Sequence, residues 1–128
     1  MYIKIGSEAT KRETVSPMNT AIYIGSGSSQ VYATPCLIAL IEAAAVEAVD
    51  SQLEEGYSTV GTLLHVQHVS ATPMGMTVTA KAVLSEIDNR RLVFTVEAYD
   101  EAGLVGKGTH ERFIVNNEKF MEKAVSKK

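Results

Sequence analysis

Cysteine is almost missing: Cys36 stands alone among 128 residues, which excludes an intrachain disulfide and fits a reducing compartment. An excess of basic charge is missing too. Twelve Lys and Arg against 15 Asp and Glu leave a formal charge of −3, and the basic residues are scattered. No aromatic RNA-binding motif accompanies them, so we expect no nucleic-acid partner. The longest apolar stretch is interrupted by Glu42 and falls short of the roughly 20 residues a membrane span needs. The opening M-Y-I-K-I-G-S-E-A-T has no apolar core behind a basic start, so we expect no signal peptide, no membrane association and a cytoplasmic protein. His65, His68 and His110 lack Cys or carboxylate neighbours at ligand spacing, and no H-E-x-x-H occurs, so no metal site is expected. There is no G-x-x-x-x-G-K-[ST] and no G-x-G-x-x-G, and Gly25-Ser26-Gly27 does not replace them.

What is present begins with a helix. The run A-T-P-C-L-I-A-L-I-E-A-A-A-V-E-A-V spans 33–49, and from Pro35 to Val46 its only charge is Glu42. Thr34 suits the N-cap and Pro35 the first helical position, where no partner awaits the missing N–H. The pattern predicts a helix ending near Glu54-Glu55-Gly56, with Gly56 as the stop. A carboxylate among Leu37, Ile38, Leu40, Ile41 and Ala43–Val46 is costly to bury unless it is paired, hydrogen-bonded or protonated. Before the helix, Gly25-Ser26-Gly27-Ser28-Ser29 reads as a mobile loop, either a linker or a lid beside whatever Glu42 serves.

From Tyr57 the period changes from helical to alternating. Strands are predicted at 57–71, 76–87, 91–99 and 104–115, separated by Thr72-Pro73-Met74-Gly75, Asp88-Asn89-Arg90 and Asp100–Gly103. The first segment, 2–16, supplies one or two short strands, and a brief polar helix over 118–125 closes the chain. Short connections favour antiparallel neighbours, so the pattern is one long helix followed by a four-stranded meander. This is an α+β layer fold in one domain, 1–128. Because the helix is apolar around most of its circumference, one flat sheet face does not cover it. A strongly curved antiparallel sheet wrapped around a long central helix is the hot-dog arrangement, which pairs into dimers with sites at the interface.

Several residues suggest chemistry. In the strand from Tyr57, even positions read Val60, Thr62, Leu64, Val66 and His68, and odd ones Gly61, Leu63, His65, Gln67 and Val69. Alternation puts His68 on the more apolar face, toward the helix and Glu42, and His65 on the other. His68 is either that partner or a core histidine bonded to a backbone carbonyl. Gly61 marks either a bulge or the close approach of a ligand to the backbone. Gly106, Gly108, His110 and Arg112 share parity. Arg112 is either a structural ion-pair partner or a contact for an anion or carbonyl. Cys36 reads as a small buried thiol rather than a nucleophile. Arg90, Arg91 and Lys107 are either phosphate contacts or solvated charges.

Three blocks then carry a resemblance: V-Y-A-T-P-C-L-I-A-L-I-E (31–42), G-T-L-L-H-V-Q-H-V-S-A-T-P-M-G (61–75) and G-K-G-T-H-E-R-F (106–113). In order and spacing they resemble the fluoroacetyl-CoA thioesterase-type branch of the hot-dog thioesterases, over Val31 to Phe120. The resemblance implies a homodimer or higher homo-oligomer that hydrolyses a short-chain acyl-CoA thioester to free acid and CoA, with no metal or organic cofactor. It places the family's catalytic Thr, Glu and His on Thr34, Glu42 and His68, and its substrate-contacting Gly and Arg on Gly61 and Arg112. Thr34 is then the nucleophile or the seat of the attacking water, with His68 as proton acceptor and donor. Glu42 orients His68 or acts as base, the Gly61 N–H meets the thioester oxygen, and Arg112 holds the acyl end or fixes the carboxylate.

Two features strain that assignment. Eight residues of continuous helix separate Thr34 from Glu42 by roughly 12 Å along the axis, so they serve opposite ends of a site, or different sites of a dimer, unless Thr34 folds back. The fluoroacetate-selective member carries phenylalanines before the helix, forming a lid and gate. Here that stretch is I-G-S-G-S-S-Q, without an aromatic residue between Tyr23 and Tyr32, which points to general short-chain acyl-CoA hydrolysis. The alternative is a non-catalytic acyl-CoA binding or sensing protein of the same fold. A hydratase would put its acid and histidine close together on one segment, and no such pair occurs.

Overall fold

A computed structural model describes residues 2–128. The sequence from Thr34 to Val49 forms the long helix, here α2, after a short one, α1, at Ala21–Ile24. Five strands accompany them: β1 (Glu8–Thr14), β2 (Tyr57–His68), β3 (Thr77–Asp88), β4 (Arg91–Asp100) and β5 (Gly103–Asn116). The terminal helix α3 covers Asn117–Val125. The strands make one sheet in the order β1-β3-β4-β5-β2, with every pair antiparallel. Register shifts at Gly61/Leu63, Leu84/Glu86 and Ala98/Tyr99 interrupt the ladders. Bulges of this kind bend a strand and raise its twist, and the sheet curls around α2 in the expected hot-dog arrangement.

The core follows the two periods. Val78, Ala80, Ala82 and Leu84 of β3 and Leu92, Phe94, Val96 and Ala98 of β4 alternate inward, each at most 1% exposed. They meet Leu37, Ile41, Ala44, Ala45, Ala48 and Val49 of α2. Alanine on both sides lets the helix lie close to the sheet. The opposite flank of α2 is only partly covered: Ile38, Leu40, Glu42, Ala43 and Val46 are half-buried, and Ala39 is exposed.

Three expectations need correction. The sheet is not a meander in chain order: the expected strand of the first segment, β1, joins it beside β3, and β2 pairs with β5 rather than with β3. The link after β2 carries the turn residues of a hairpin but crosses the molecule instead. It is held by a Val31–Pro73 bridge, by the Tyr32 N–H donating to Thr72 O (2.8 Å), and by the Thr72 hydroxyl donating to Asp100 Oδ2 (2.8 Å). The helix also ends before Glu54. Its last turn tightens to a 3₁₀ turn at Asp50–Gln52, where Gln52 Nε2 donates to Ser7 Oγ (2.8 Å) and Ala48 O (3.3 Å), and Oε1 accepts the Lys4 N–H (2.9 Å). A side chain thus satisfies a terminal carbonyl that a glycine cap would otherwise serve. Finally, the N-cap is Ala33, and Thr34 is already helical. Its hydroxyl is not used as a cap.

Candidate active site

The freed Thr34 hydroxyl has another partner. Thr34 Oγ1 lies 2.7 Å from His68 Nδ1, joining the first turn of α2 to the last residue of β2. The helix start is fixed from behind. The Ala33 N–H donates to Asn19 O (2.9 Å), and the buried Tyr32 hydroxyl reaches Glu13 Oε1 (2.6 Å) and Cys36 O (3.1 Å). The pair opens into a cleft of about 290 Å³ bordered by Ala21, Ser26, Val31, Val69 and Ala71. The loop after α1 therefore edges this cleft, with its base pinned by the Ala21 N–H to Val31 O (2.9 Å) and the Ile22 N–H to Ser29 O (3.2 Å).

Burial pushes the His68 imidazole below its ordinary pKa, against a smaller upward pull from the Ser70 backbone. The neutral ring can accept the Thr34 proton at Nδ1. Its Nε2 is buried and, among the described residues, has no hydrogen-bond partner. Buried polar atoms are rarely left so, and the exceptions ask for a functional explanation.

A second cluster lies farther along α2. Arg112 is 6% exposed and fully engaged. Nε donates to Thr59 Oγ1 (2.8 Å), Nη2 to Thr59 O (3.0 Å), and Nη1 to both Glu42 Oε2 and His110 Nε2 (3.1 Å each). His110 is completely buried, and its Nδ1 donates to Leu63 O at 2.8 Å. Burial lowers the pKa of Arg112, and Glu42 partly offsets this; a guanidinium stays charged regardless. Glu42 is less buried than its apolar neighbours suggest, with 37% of its side chain exposed. Gly61 is where this cluster needs room: a Cβ there would sit 2.5 Å from Glu42 Oε2 and 3.3 Å from Arg112 Nη1.

The five singled-out residues therefore fall into two groups. Thr34 and His68 form one; Glu42, Gly61 and Arg112 form the other. His68 does point toward the helix, as alternation indicates, but it meets Thr34 rather than Glu42. The bulge at Gly61/Leu63 explains a second discrepancy. Beyond it Leu64, Val66 and His68 pair with His110, Gly108 and Gly106, while before it Gly61 and Thr59 pair with Arg112 and Ile114. The inward parity switches at Thr62, so Thr59 and Gly61 face inward instead of Val60 and Thr62. Thr59 and His110 escaped notice as site residues. The shared parity of His110 and Arg112 was the available signal, whereas nothing in a constant alternation brings in Thr59.

Other candidates are placed by the same geometry. His65 is exposed, beside Gln67, Thr95, Glu97, Lys107 and Thr109 on the outer face. Cys36 is half-buried, and burial, then Glu13, pushes its thiol up. Arg91 is occupied by Glu111 (2.8 Å) and Glu86 (3.1 Å). Among the described residues no three His, Cys, Asp or Glu side chains group as a metal site, and no helix is long and apolar enough to cross a membrane.

The profile of a protein family described as fluoroacetyl-CoA-specific thioesterase (FlK) matches residues 15–118. The fluoroacetyl-CoA thioesterase of Streptantibioticus cattleyicolor is 36% identical over 131 residues, covering 98% of this chain and 94% of that protein. A solved structure of the fluoroacetyl-CoA thioesterase FlK superposes with a TM-score of 0.93 at 34% identity, covering 100% of this chain and 99% of the other. A Thermus thermophilus protein described as a thioesterase superfamily member superposes with a TM-score of 0.90 at 29% identity, covering 98% and 93%. These likenesses define a hot-dog thioester hydrolase. The chain belongs to the fluoroacetyl-CoA-specific thioesterase family.

Proposed function

We propose that this protein hydrolyses short-chain acyl-CoA thioesters to free acid and CoA, using Thr34, His68 and Glu42 with Gly61 and Arg112. The observation that carries this is the 2.7 Å contact between a helix-start hydroxyl and a buried imidazole at the edge of a cleft. Attack on the thioester carbonyl comes from Thr34 Oγ1 or from a water it seats. In either course the proton passes to His68, the C–S bond breaks, and His68 returns the proton to the departing thiolate. In the threonine course, water then hydrolyses the acyl ester. The Gly61 N–H stabilises the oxyanion, and Arg112 holds Glu42 beside the acyl group. Forms of the similar fluoroacetyl-CoA thioesterase have been solved with acetyl-CoA and with fluoroacetate and CoA, which supports an acyl-CoA ligand here.

The site is completed by a second copy of the chain. Thr34 and Glu42 stand on one unbroken helix, roughly 12 Å apart along its axis, and belong to separate clusters. The strand β2 is an edge strand with exposed residues from Gly61 to His65, including Leu63 and Leu64 at 45% and 40%. Such an edge is a template for pairing, and the half-covered flank of α2 lies on offer beside it. A two-fold pairing sets Glu42, Gly61 and Arg112 of one copy opposite Thr34 and His68 of the other.

The test is CoA release from a panel of short acyl-CoAs, followed by subunit mixing. Thr34→Ala and Glu42→Gln chains, each strongly impaired alone, should rise on mixing to about a quarter of wild-type activity, above the average of the two variants measured separately, since half the dimers are mixed and each has one intact site. Tight binding of the panel without CoA release favours the sensing protein instead. The serine- and glycine-rich loop at the cleft supports a broad short-chain preference, and turnover of fluoroacetyl-CoA far above acetyl-CoA would overturn that breadth.

A further inference from the structure

We propose that His110 is a positioning residue: a neutral imidazole, protonated on Nδ1, that ties the bulge in β2 to the Arg112 guanidinium and so holds Gly61 and Glu42 in register. This rests on the functional reading above and deepens it. The tautomer follows from the partners. Leu63 O can only accept, so Nδ1 carries the hydrogen at 2.8 Å. In a neutral ring Nε2 is then an acceptor, which is what Arg112 Nη1, a donor at 3.1 Å, requires.

Both nitrogens are spent, so His110 has no lone pair or proton left for the reaction. Its ring stacks on Phe94 with centroids 6.2 Å apart and planes inclined by 30°. Burial holds its pKa down and Arg112 adds to this, while the Leu63 bond and the carboxylates of Glu42 and Glu111 pull the other way. Protonation would remove the acceptor and place a second cation against Arg112. The consequence reaches two parts of the proposed site. Leu63 is the first residue past the bulge that turns Gly61 inward, and Arg112 Nη1 is the same nitrogen that binds Glu42. One side chain thus sets the backbone N–H and the carboxylate together.

Long-range ¹H–¹⁵N spectra of the labelled wild-type protein should show the Nδ1–H tautomer of His110 unchanged from about pH 5 to 8. An Nε2–H tautomer, or titration within that window, overturns the proposal. Two variants then separate positioning from structure. His110→Asn keeps a donor near Leu63 O but cannot reach Arg112; His110→Gln can present its carbonyl oxygen to Arg112. Folded His110→Asn should lose about 10- to 100-fold in kcat, with KM changed by less than about threefold, and His110→Gln should recover part of the loss. Equal losses in both variants, or a normal kcat in folded His110→Asn, would sink the positioning role while leaving hydrolysis intact. If neither variant folds, the tautomer decides. Failure of the wild type to release CoA from any substrate would instead sink the functional reading, with the tautomer unaffected.

Discussion

Two polar groups beside α2 differ in how completely they are satisfied. At its start, Thr34 and His68 share one bond, the Ser70 backbone exerts a weaker pull on the imidazole, and His68 Nε2 has no hydrogen bond of good geometry among the described residues. Farther along, Arg112 makes four hydrogen bonds to three residues, and His110 is held at both nitrogens. A saturated network is rigid and gives up nothing cheaply. An unsaturated pair retains a hydroxyl and an imidazole free to exchange a proton. In the proposed mechanism this difference suits the first group to proton exchange and the second to holding Glu42 and the Gly61 backbone in place.

The sharpest way to break that contrast is to truncate the unsaturated pair. Thr34→Ala and His68→Ala should each lower kcat by about 10²- to 10⁴-fold. Thr34 is exposed, so the Thr34→Ala variant should lose no more stability than one hydrogen bond to His68 provides, about 1 kcal/mol. A Thr34→Ala enzyme with near-normal kcat would transfer the chemistry elsewhere.

Much of this is legible in the amino-acid sequence. The apolar run around Glu42 and the switch to alternation at Tyr57 are local patterns, and they led to a helix in a curved sheet. The parity of His68 was right because the ladder from Leu63 to His68 is regular. What failed was non-local or broke the period. The partner of β2 depends on a crossing held by Thr72 and Pro73, which a turn motif cannot reveal. Thr59 enters the site only because Thr62 is an extra residue in its strand. The role of Thr34 hinged on one residue of helix boundary, where Ala33 takes the cap position without a side-chain bond.

Perturbing the saturated group should cost activity and stability together. Glu42→Gln should lower activity by about 10-fold or more and lower the melting temperature as well. It removes the carboxylate from a buried guanidinium; because 37% of the Glu42 side chain is exposed, the loss should be about 1 kcal/mol rather than that of a fully buried pair. A raised melting temperature would mean that Arg112 is content with Thr59 and His110 alone, and that Glu42 is a net burden to the fold.

The two groups should also part in their response to acid. His68 has a depressed pKa, so kcat/KM should rise with pH through a midpoint below the ordinary value of about 6.5. His110 is depressed too, and in both cases the unfolded chain takes up protons that the native state refuses. Stability should therefore decline as pH falls below about 6.5, which thermal melts across that range would show. In His110→Gln the stability slope should flatten while the acid limb of kcat/KM stays in place. A displaced limb would mean that His110, not His68, is the titrating base.

The smallest expected effect tests the face assignment itself. His65 lies three residues from His68, pairs with Thr109 and is exposed on the outer surface of the sheet beside Glu97 and Lys107. Neither polar group touches it. His65→Ala should leave kcat/KM within about twofold of wild type, measured beside His68→Ala under the same conditions. Similar losses in both variants would mean that β2 presents its other face to the substrate, and the division into a reactive pair and a positioning network would have to be redrawn from the bulge onward.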